Sequence, residues 1–300
     1  MEAARDPLAA AMADAAARVE EALAALLPDP ANSPAPRLAE AMRYAVLGGG
    51  KRLRPFLILE GARLCGVPDA RALRTAAAVE FVHCYSLVHD DLPAMDDDDL
   101  RRGRPTVHKA FDEATAILAG AALLTFAFEV LADPATHPDG AVRAALVAGL
   151  ARAAGGGGMC AGQALDLAAE QAETLPEAAL ERLARLKTGA LIAFSAQAGA
   201  ILAADEAARA ALAAYGEDVG LAFQIADDLL DVTGDAADVG KGVGKDAARG
   251  KQTLVGHRGI GRARAEAAGL AESAARRLDL FGEKAEQLRR VAHFTVSRRA

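Results

Sequence analysis

Two groups of aspartates occur in segments that are otherwise apolar and typical of helices. The first group lies in DDLPAMDDDD, residues 90–99, and the second is DDLLD, residues 227–231. Carboxylates gathered beside buried helix faces repel one another unless cations neutralise them. An all-oxygen ligand set favours Mg²⁺, which commonly completes its coordination shell with substrate phosphates. The two groups together therefore predict a site for several metal ions and a phosphorylated molecule.

The second aspartate group has the spacing of one helix face. Asp227 and Asp231 are four residues apart, Asp228 flanks them, and Gln224 lies one turn earlier on the same stripe. Like charges at this spacing destabilise a bare helix, which favours a bound cation. A solvated, charged helix face is the alternative explanation.

The first aspartate group is less regular. Asp90 and Asp96 are six positions apart, about 240° out of phase on an ideal helix. Pro93 interrupts the helix between them, so we expect residues 92–95 to bulge and bring the two ends together. On an unbroken helix Asp97 would be in phase with Asp90, so spacing alone leaves both Asp96 and Asp97 open as ligands.

Basic residues accompany these acids in two places. RRGR follows the first aspartate group, and GGGKRLRP, residues 48–55, places cations at a glycine-rich turn that enters a helix. Arginines grip phosphate oxygens in bidentate fashion, and a helix start adds backbone N–H groups that favour an anion. The cations concerned are Lys51, Arg52, Arg54, Arg101, Arg102 and Arg104.

Residues 232–253 form a segment rich in Gly, Asp and Lys directly after the second aspartate group. Such a segment is usually a solvated surface loop. Beside a phosphate site, its Lys241, Lys245 and Lys251 could instead close over an anion, since the intervening glycines permit the movement.

Bulk composition excludes several classes of protein. The 300 residues carry a net charge of −7, which argues against a general nucleic-acid binder. Three scattered cysteines are too few for a disulfide framework or a zinc site and indicate a cytoplasmic protein. The N-terminus lacks a signal-peptide pattern, and without about 18 successive uncharged apolar residues we expect no membrane span.

Helical periodicity recurs along the whole chain, and no run alternates with the period of a strand. The pattern predicts a single all-α domain over residues 1–300, with a mobile loop at 232–253. The predicted helices are 10–27, 38–47, 55–64, 70–91, 114–131, 141–153, 162–169, 177–186, 188–202, 206–231, 263–280 and 283–297.

Taken in order from Leu38 to Lys251, these segments resemble the trans-prenyltransferases that build linear isoprenoid diphosphates. The resemblance rests on GGGKRLRP, HCYSLVHDDLPAMDDDDLRRGRPT, GQALDL, Lys187-Thr188, FQIADDLLD and GKGVGKD. It implies a bundle of antiparallel helices around a deep central cavity, usually in a homodimer. The segment TLVGHRGIGRARA after Lys251 departs from the family pattern.

The resemblance implies that Mg²⁺, about three ions per site, binds an allylic diphosphate. Loss of pyrophosphate then leaves an allylic carbocation that alkylates isopentenyl diphosphate. Dimethylallyl and geranyl diphosphate are the expected allylic substrates and farnesyl diphosphate the expected product. A geranylgeranyl product is the first alternative. A class I terpene cyclase is a weaker one, because its second metal motif normally differs from DDLLD and it lacks the basic turn.

Site roles are carried over from the family position by position. The metal ligands would be Asp90, Asp91, Asp96, Asp227, Asp228 and Asp231. The allylic diphosphate would be held by Arg101, Lys187 and Lys241, with Lys251 beside them, and isopentenyl diphosphate by Lys51, Arg54, His83 and Arg102. Thr188 and Gln224 would direct oxygen dipoles at the carbocation, completing a catalytic set with Lys187 and Arg101.

Product length is expected to depend on the residues just before the first aspartate group. Tyr85 and Ser86 precede Asp90 by five and four residues, about 6–8 Å down the helix axis. The resemblance implies that the prenyl tail grows in this direction, so that Tyr85 would form the floor of the tail's cavity. The alternative is that Tyr85 is an ordinary core residue.

Overall fold

The computed structural model describes residues 6–170, 174–233 and 252–298. The chain divides into two compact units, Met1–Arg63 with Val67–Val147, and Leu64–Gly66 with Ala148–Ala300. Each unit is built of helices, so the all-α fold class predicted from the sequence is confirmed. The prediction of one domain stays a prediction.

The described residues of the first unit form six helices and the beginning of a seventh. They are α1 (Pro7–Leu26), α2 (Pro36–Val46), α3 (Leu53–Leu64), α4 (Asp69–Asp90), α5 (Val107–Ala110), α6 (Glu113–Ala132) and α7 (Gly140–Ala154). A short antiparallel hairpin of β1 (Leu100–Arg101) and β2 (Arg104–Pro105) follows α4. The chain passes from the first unit to the second within α7.

The second unit is built around one long helix. Its elements are α8 (Met159–Glu170), α9 (Glu177–Ala184), a π-helical turn (Arg185–Gly189), α10 (Ala190–Ala203), α11 (Glu206–Thr233), α12 (Leu254–Arg258), α13 (Ile260–Arg277) and α14 (Glu286–Ser297). Short 3₁₀ segments lie at Pro30–Asn32 in the first unit and Asp279–Ala285 in the second.

Every helix predicted from the sequence is present, and its ends lie within a few residues of the predicted ones. Local signals explain the ends. Asp112 caps α6 by accepting a hydrogen bond from the backbone N–H of Thr115 at 2.7 Å. Helix α4 ends at Asp90, just before the turn that contains Pro93. The sequence predicted no strand, and the two-residue strands of the hairpin are too short to show a period.

Three helical segments are long and apolar enough to cross a membrane by length and composition: Glu113–Ala132, Gly140–Glu170 and Glu177–Ala203. The expectation of no membrane span stays a prediction. The search for such segments covered the described residues only.

The core of the first unit lies between α4 and α6. The rings of Phe81 and Phe126 meet there with centroids 5.2 Å apart. Closer to the end of α4, Gly120 of α6 packs so tightly on the His89 ring that a Cβ at Gly120 would overlap it. His89 Nε2 lies 3.2 Å from the carbonyl oxygen of Ile117. These contacts set a close spacing of the two helices below the first aspartate group.

Helix α11 is the centre of the second unit and packs tightly against the chain before it. A Cβ at Gly216 would lie 2.6 Å from Cα of Ala193, and one at Gly220 would lie 2.7 Å from Cα of Gly189. The glycines therefore let α11 approach α10 and the π-helical turn at backbone distance. This approach holds the π-helical turn against the helix that carries the second aspartate group.

A buried arginine anchors α12 to its neighbours. Arg258, 3% exposed, contacts Glu177 of α9 at 2.7 Å, Glu181 of α9 at 3.1 Å and Glu266 of α13 at 2.8 Å. Its guanidinium is thus surrounded by carboxylates, which a buried cation requires. Sequence reasoning left this stretch after Thr253 without an explanation.

We expect Gly220→Ala to lower the free energy of unfolding by about 1–3 kcal/mol, because the new methyl group has no room beside Gly189. Denaturant unfolding of the purified protein measures the change. Gly269→Ala is the matched control, since Gly269 is exposed on α13 with no atom within 4 Å of an added Cβ. That variant should be about 0.5–1 kcal/mol more stable. Equal stability of the two variants would contradict the tight packing.

Candidate active site

The turn after α4 brings the two ends of the first aspartate group together. The backbone N–H of Asp96 donates to the carbonyl oxygen of Asp90 at 2.8 Å, and that of Asp97 donates to Leu92 at 3.1 Å. Residues 92–95 bulge between them, as the position of Pro93 predicted. Asp90 and Asp96 are both half-buried, whereas Asp97 is exposed with a left-handed φ of 48°. The geometry therefore favours Asp96 over Asp97 as the partner of Asp90.

Asp91 makes a different kind of contact from its neighbours. It is 3% exposed, and its two carboxylate oxygens accept bonds from Arg101 at 2.8 Å, 2.9 Å and 2.6 Å. Burial opposes the charge on Arg101, but the Asp91 carboxylate outweighs it and raises the pKa of the guanidinium. Asp91 thus fixes the position of Arg101, one of the predicted diphosphate ligands. Its predicted role as a metal ligand stays a prediction.

The hairpin and the glycine-rich turn meet within the first unit. Arg102 has a left-handed φ of 54°, and its side chain donates to the carbonyl oxygen of Gly49. A Cβ at Gly50 would lie 2.7 Å from the Arg102 guanidinium, so only glycine permits this approach. The structure thereby places Arg102 beside the glycine-rich turn, which Lys51 follows directly in the chain. Both residues were predicted to hold isopentenyl diphosphate.

Arg52 does not belong to this anion-binding set. Its side chain is buried and pairs with Glu80 at 2.5 Å and Glu20 at 2.5 Å, and it donates to the carbonyl oxygen of Val46 at 2.6 Å. This corrects the interpretation of all three cations of GGGKRLRP as anion ligands. A left-handed φ of 47° turns Arg52 away from the direction of its neighbours and into the core.

His83 lies among cations in the same region. Burial and then the guanidinium groups of Arg54 and Arg102 hold its pKa well below the ordinary 6.5. The imidazole is therefore neutral at neutral pH and can donate one hydrogen bond to an anion without adding charge. An anion bound here would relieve the mutual repulsion of the surrounding cations.

Lys187 forms an ion pair with an acid on α8. It lies in the π-helical turn, and its Nζ contacts Asp166 of α8 at 2.5 Å. Gly162 lies against the backbone of Lys187, where a Cβ would overlap the Lys187 nitrogen. π-Helical turns are rare and are found frequently at functional sites. Sequence reasoning quoted GQALDL but gave Asp166 no role, although an acid on an otherwise apolar helix was the available signal.

A hydrogen-bonded chain connects the two residues predicted to face the carbocation. Thr188 Oγ1 donates to Gln224 Oε1 at 2.6 Å, and Gln224 Nε2 donates to Asp228 at 2.8 Å. Asp228 is 6% exposed and thus shielded from water. Because Asp228 accepts from the amide nitrogen, it orients Gln224 so that its oxygen faces Thr188.

Asp227 and Asp231 lie on the last turns of α11, both half-buried. The carboxylate of Asp227 contacts Arg298, which follows α14, at 2.6 Å. Sequence reasoning did not single out Arg298, since nothing near it in the chain indicates an acid 71 residues away. Lys241 and Lys251, and most of the loop predicted at 232–253, lie outside the described residues.

The two predicted chain-length residues differ in their surroundings. Tyr85 is 6% exposed, and its ring meets that of His89 edge-on with centroids 5.6 Å apart. Ser86 is half-buried and donates through Oγ to the carbonyl oxygen of His83 at 2.8 Å. Tyr85 thus lies on the side of α4 that packs on α6, below the aspartates.

The donors of each unit fit Mg²⁺, since carboxylate oxygens are hard ligands. Asp90 and Asp96 in the first unit and Asp227 in the second keep part of their surface accessible. Among the described residues no three His, Cys, Asp or Glu side chains are gathered in a metal-binding arrangement.

Comparison with known proteins identifies the family of the chain. The family model described as polyprenyl synthetase matches residues 35–290. A farnesyl diphosphate synthase of Escherichia coli (strain K12) is 49% identical over 251 residues, 82% of this chain and 83% of the relative. An apo crystal structure of an FPP/GFPP synthase from Zymomonas mobilis is 45% identical, covers 97% of this chain and 99% of that one, and has a TM-score of 0.87.

A geranylgeranyl pyrophosphate synthetase from Pyrococcus horikoshii is 32% identical, with a TM-score of 0.88 over 97% of this chain and 98% of that one. The fold is accordingly that of the all-α isoprenoid synthases. The chain belongs to the polyprenyl synthetase family and is a prenyltransferase enzyme. The resemblance drawn from the motifs is confirmed, and the family match extends on both sides of the segment that carried it.

Proposed function

We propose that the chain is a Mg²⁺-dependent short-chain trans-prenyltransferase that makes farnesyl diphosphate. It would condense isopentenyl diphosphate first with dimethylallyl and then with geranyl diphosphate. The observation that carries the product assignment is the 49% identity to a farnesyl diphosphate synthase over most of both chains. The buried ring of Tyr85 below the first aspartate group supports it.

The first step breaks the bond between the allylic carbon and the diphosphate oxygen. In the first unit Asp90 and Asp96 would hold Mg²⁺, and in the second unit Asp227 would do so; the metal would supply charge that neutralises the departing pyrophosphate. Arg101, held by Asp91, and Lys187, held by Asp166, would each bind diphosphate oxygens through its charge. Preorganised charges of this kind need no reorientation as the bond breaks.

The second step forms the new carbon–carbon bond. The double-bond electrons of isopentenyl diphosphate attack the allylic cation, and the adjacent carbon then gives a proton to the released pyrophosphate. Lys51, Arg54 and Arg102 would hold this diphosphate by charge, with neutral His83 as a hydrogen-bond donor. The oxygens of Thr188 and Gln224 would stabilise the cation, and their fixed chain to Asp228 keeps them in place.

A geranylgeranyl product is the second candidate, favoured by the similarity to the synthetase from Pyrococcus horikoshii. It differs from the farnesyl product only in the length to which the prenyl tail grows.

We further infer a cytoplasmic location, since none of the three cysteines, all of them described by the structure, forms a disulfide.

The central experiment is a condensation assay with purified protein, Mg²⁺, labelled isopentenyl diphosphate and either dimethylallyl or geranyl diphosphate. We expect a fifteen-carbon alcohol after phosphatase treatment, and loss of activity when EDTA removes the metal. Absence of a condensation product with both allylic partners would refute the enzyme assignment. Full activity in EDTA would refute the metal assignment alone.

Replacing Tyr85 by Ala should lengthen the product to twenty carbons or more, because the tail's proposed floor is removed. Chromatography of the hydrolysed products measures the chain length. Tyr85→Phe is the matched control, since it keeps the ring and should keep the fifteen-carbon product. A fifteen-carbon product from Tyr85→Ala would identify Tyr85 as an ordinary core residue.

We also propose that the enzyme is a homodimer that buries one face of α6. Ile117 and Leu118 are 50% and 58% exposed on this strongly apolar helix, and Ala114 and Ala121 continue the same exposed stripe. Adjacent exposed apolar residues at helical spacing mark an interaction surface. We assign this surface to a second copy of the chain, because the resemblance to the family implies a homodimer.

Sedimentation velocity tests the dimer. We expect the mass of a dimer for the unmodified protein and that of a monomer for Ile117→Glu/Leu118→Glu, in which two charges would be buried at the interface. Leu280→Glu is the control, because Leu280 is 60% exposed in the second unit and should leave the dimer intact. A dimeric Ile117→Glu/Leu118→Glu variant would exclude this face.

A further inference from the structure

The side chain of Arg298 contacts Asp227 of the second aspartate group. This side chain is 7% exposed although Arg298 follows the last helix of the chain, and Nη2 contacts Asp227 Oδ1 at 2.6 Å. This distance is at the short end for a charge-assisted hydrogen bond. Arg298 therefore supplies positive charge to a carboxylate predicted to bind Mg²⁺.

The guanidinium of Arg298 has a built binding position. It lies over the ring of Phe223, with the central carbon 3.8 Å from the ring centroid, and Nη2 donates to the carbonyl oxygen of Phe223 at 3.3 Å. Nε donates to the carbonyl oxygen of Thr295 at 3.2 Å. Phe223 lies one helical turn before Asp227, so the same helix provides the stacking surface and the acid.

The charge balance of α11 explains why a cation is held here. Asp227, Asp228 and Asp231 lie within about one turn, and like charges at this spacing repel. Asp228 accepts a hydrogen bond from the Gln224 amide nitrogen. In the absence of metal, Arg298 reduces the net negative charge at this end of the helix.

We propose that the Arg298 guanidinium competes with Mg²⁺ for the Asp227 carboxylate. Binding of the metal would then displace Arg298 from Asp227. The inference rests on the proposed role of Asp227 as a metal ligand. A guanidinium at 2.6 Å occupies one of the acceptor positions of Oδ1 and neutralises part of the charge that the carboxylate offers to a metal. Arg298 is accordingly a positioning residue that sets the cost of metal entry.

The competition is tested by Mn²⁺ binding, followed by electron paramagnetic resonance with and without inorganic pyrophosphate. We expect Arg298→Gln to bind Mn²⁺ about tenfold more tightly than the unmodified protein, since one charge-assisted hydrogen bond no longer opposes the metal. Phe223→Leu removes the stacking surface without changing charge, and it should strengthen Mn²⁺ binding by a smaller factor. This second variant separates release of Arg298 from a general loss of positive charge.

Arg290→Gln is the matched control. Arg290 lies on α14, the helix that precedes Arg298. It pairs with Glu286 at the surface and is 40% exposed, so its loss should leave the Mn²⁺ affinity unchanged. Urea unfolding of each variant establishes that it is folded before binding is measured.

The outcomes separate the inference from the proposed function. If the unmodified protein binds Mn²⁺ and both Arg298→Gln and Phe223→Leu bind it with equal or lower affinity, the competition is refuted while the metal site stands. If neither the unmodified protein nor Arg298→Gln binds Mn²⁺ with pyrophosphate present, the metal assignment itself fails, and the inference falls with it.

Discussion

Buried charge must be compensated, and this constraint organises the site in each unit. Asp91 could not lie at 3% exposure without the guanidinium of Arg101, and Lys187 is held by Asp166. Each acid that stabilises the fold in this way also fixes the direction of a cation. The two ion pairs thus fix the directions of Arg101 and Lys187, the residues that we propose bind diphosphate oxygens.

Close backbone approach is the second requirement. The π-helical turn that carries Lys187 and Thr188 lies against Gly162 on one side and, through Gly189, against Gly220 on the other. A side chain at either glycine would push the turn away from α8 or α11. The position of this turn therefore requires that both residues lack a side chain.

Sequence reasoning succeeded where the signals were local. The helix ends followed from Pro, Gly and capping residues, and the convergence of Asp90 and Asp96 followed from Pro93. It failed for Arg52, because GGGKRLRP presents Arg52 and Arg54 as equivalent cations. Only the left-handed backbone at Arg52 and the position of Glu80 on a separate helix direct that guanidinium into the core.

The sequence by itself determined the class of fold, the order of the motifs and the chemistry they share. Helical periodicity and acid clusters are patterns among residues close together in the chain, so they are visible without the tertiary structure. The tertiary structure decided which charges meet. Arg298 and Asp227 are 71 residues apart, and Lys187 and Asp166 are 21 apart. Such pairs depend on how helices pack, and packing is set by contacts among residues distant in the chain, which no local pattern records.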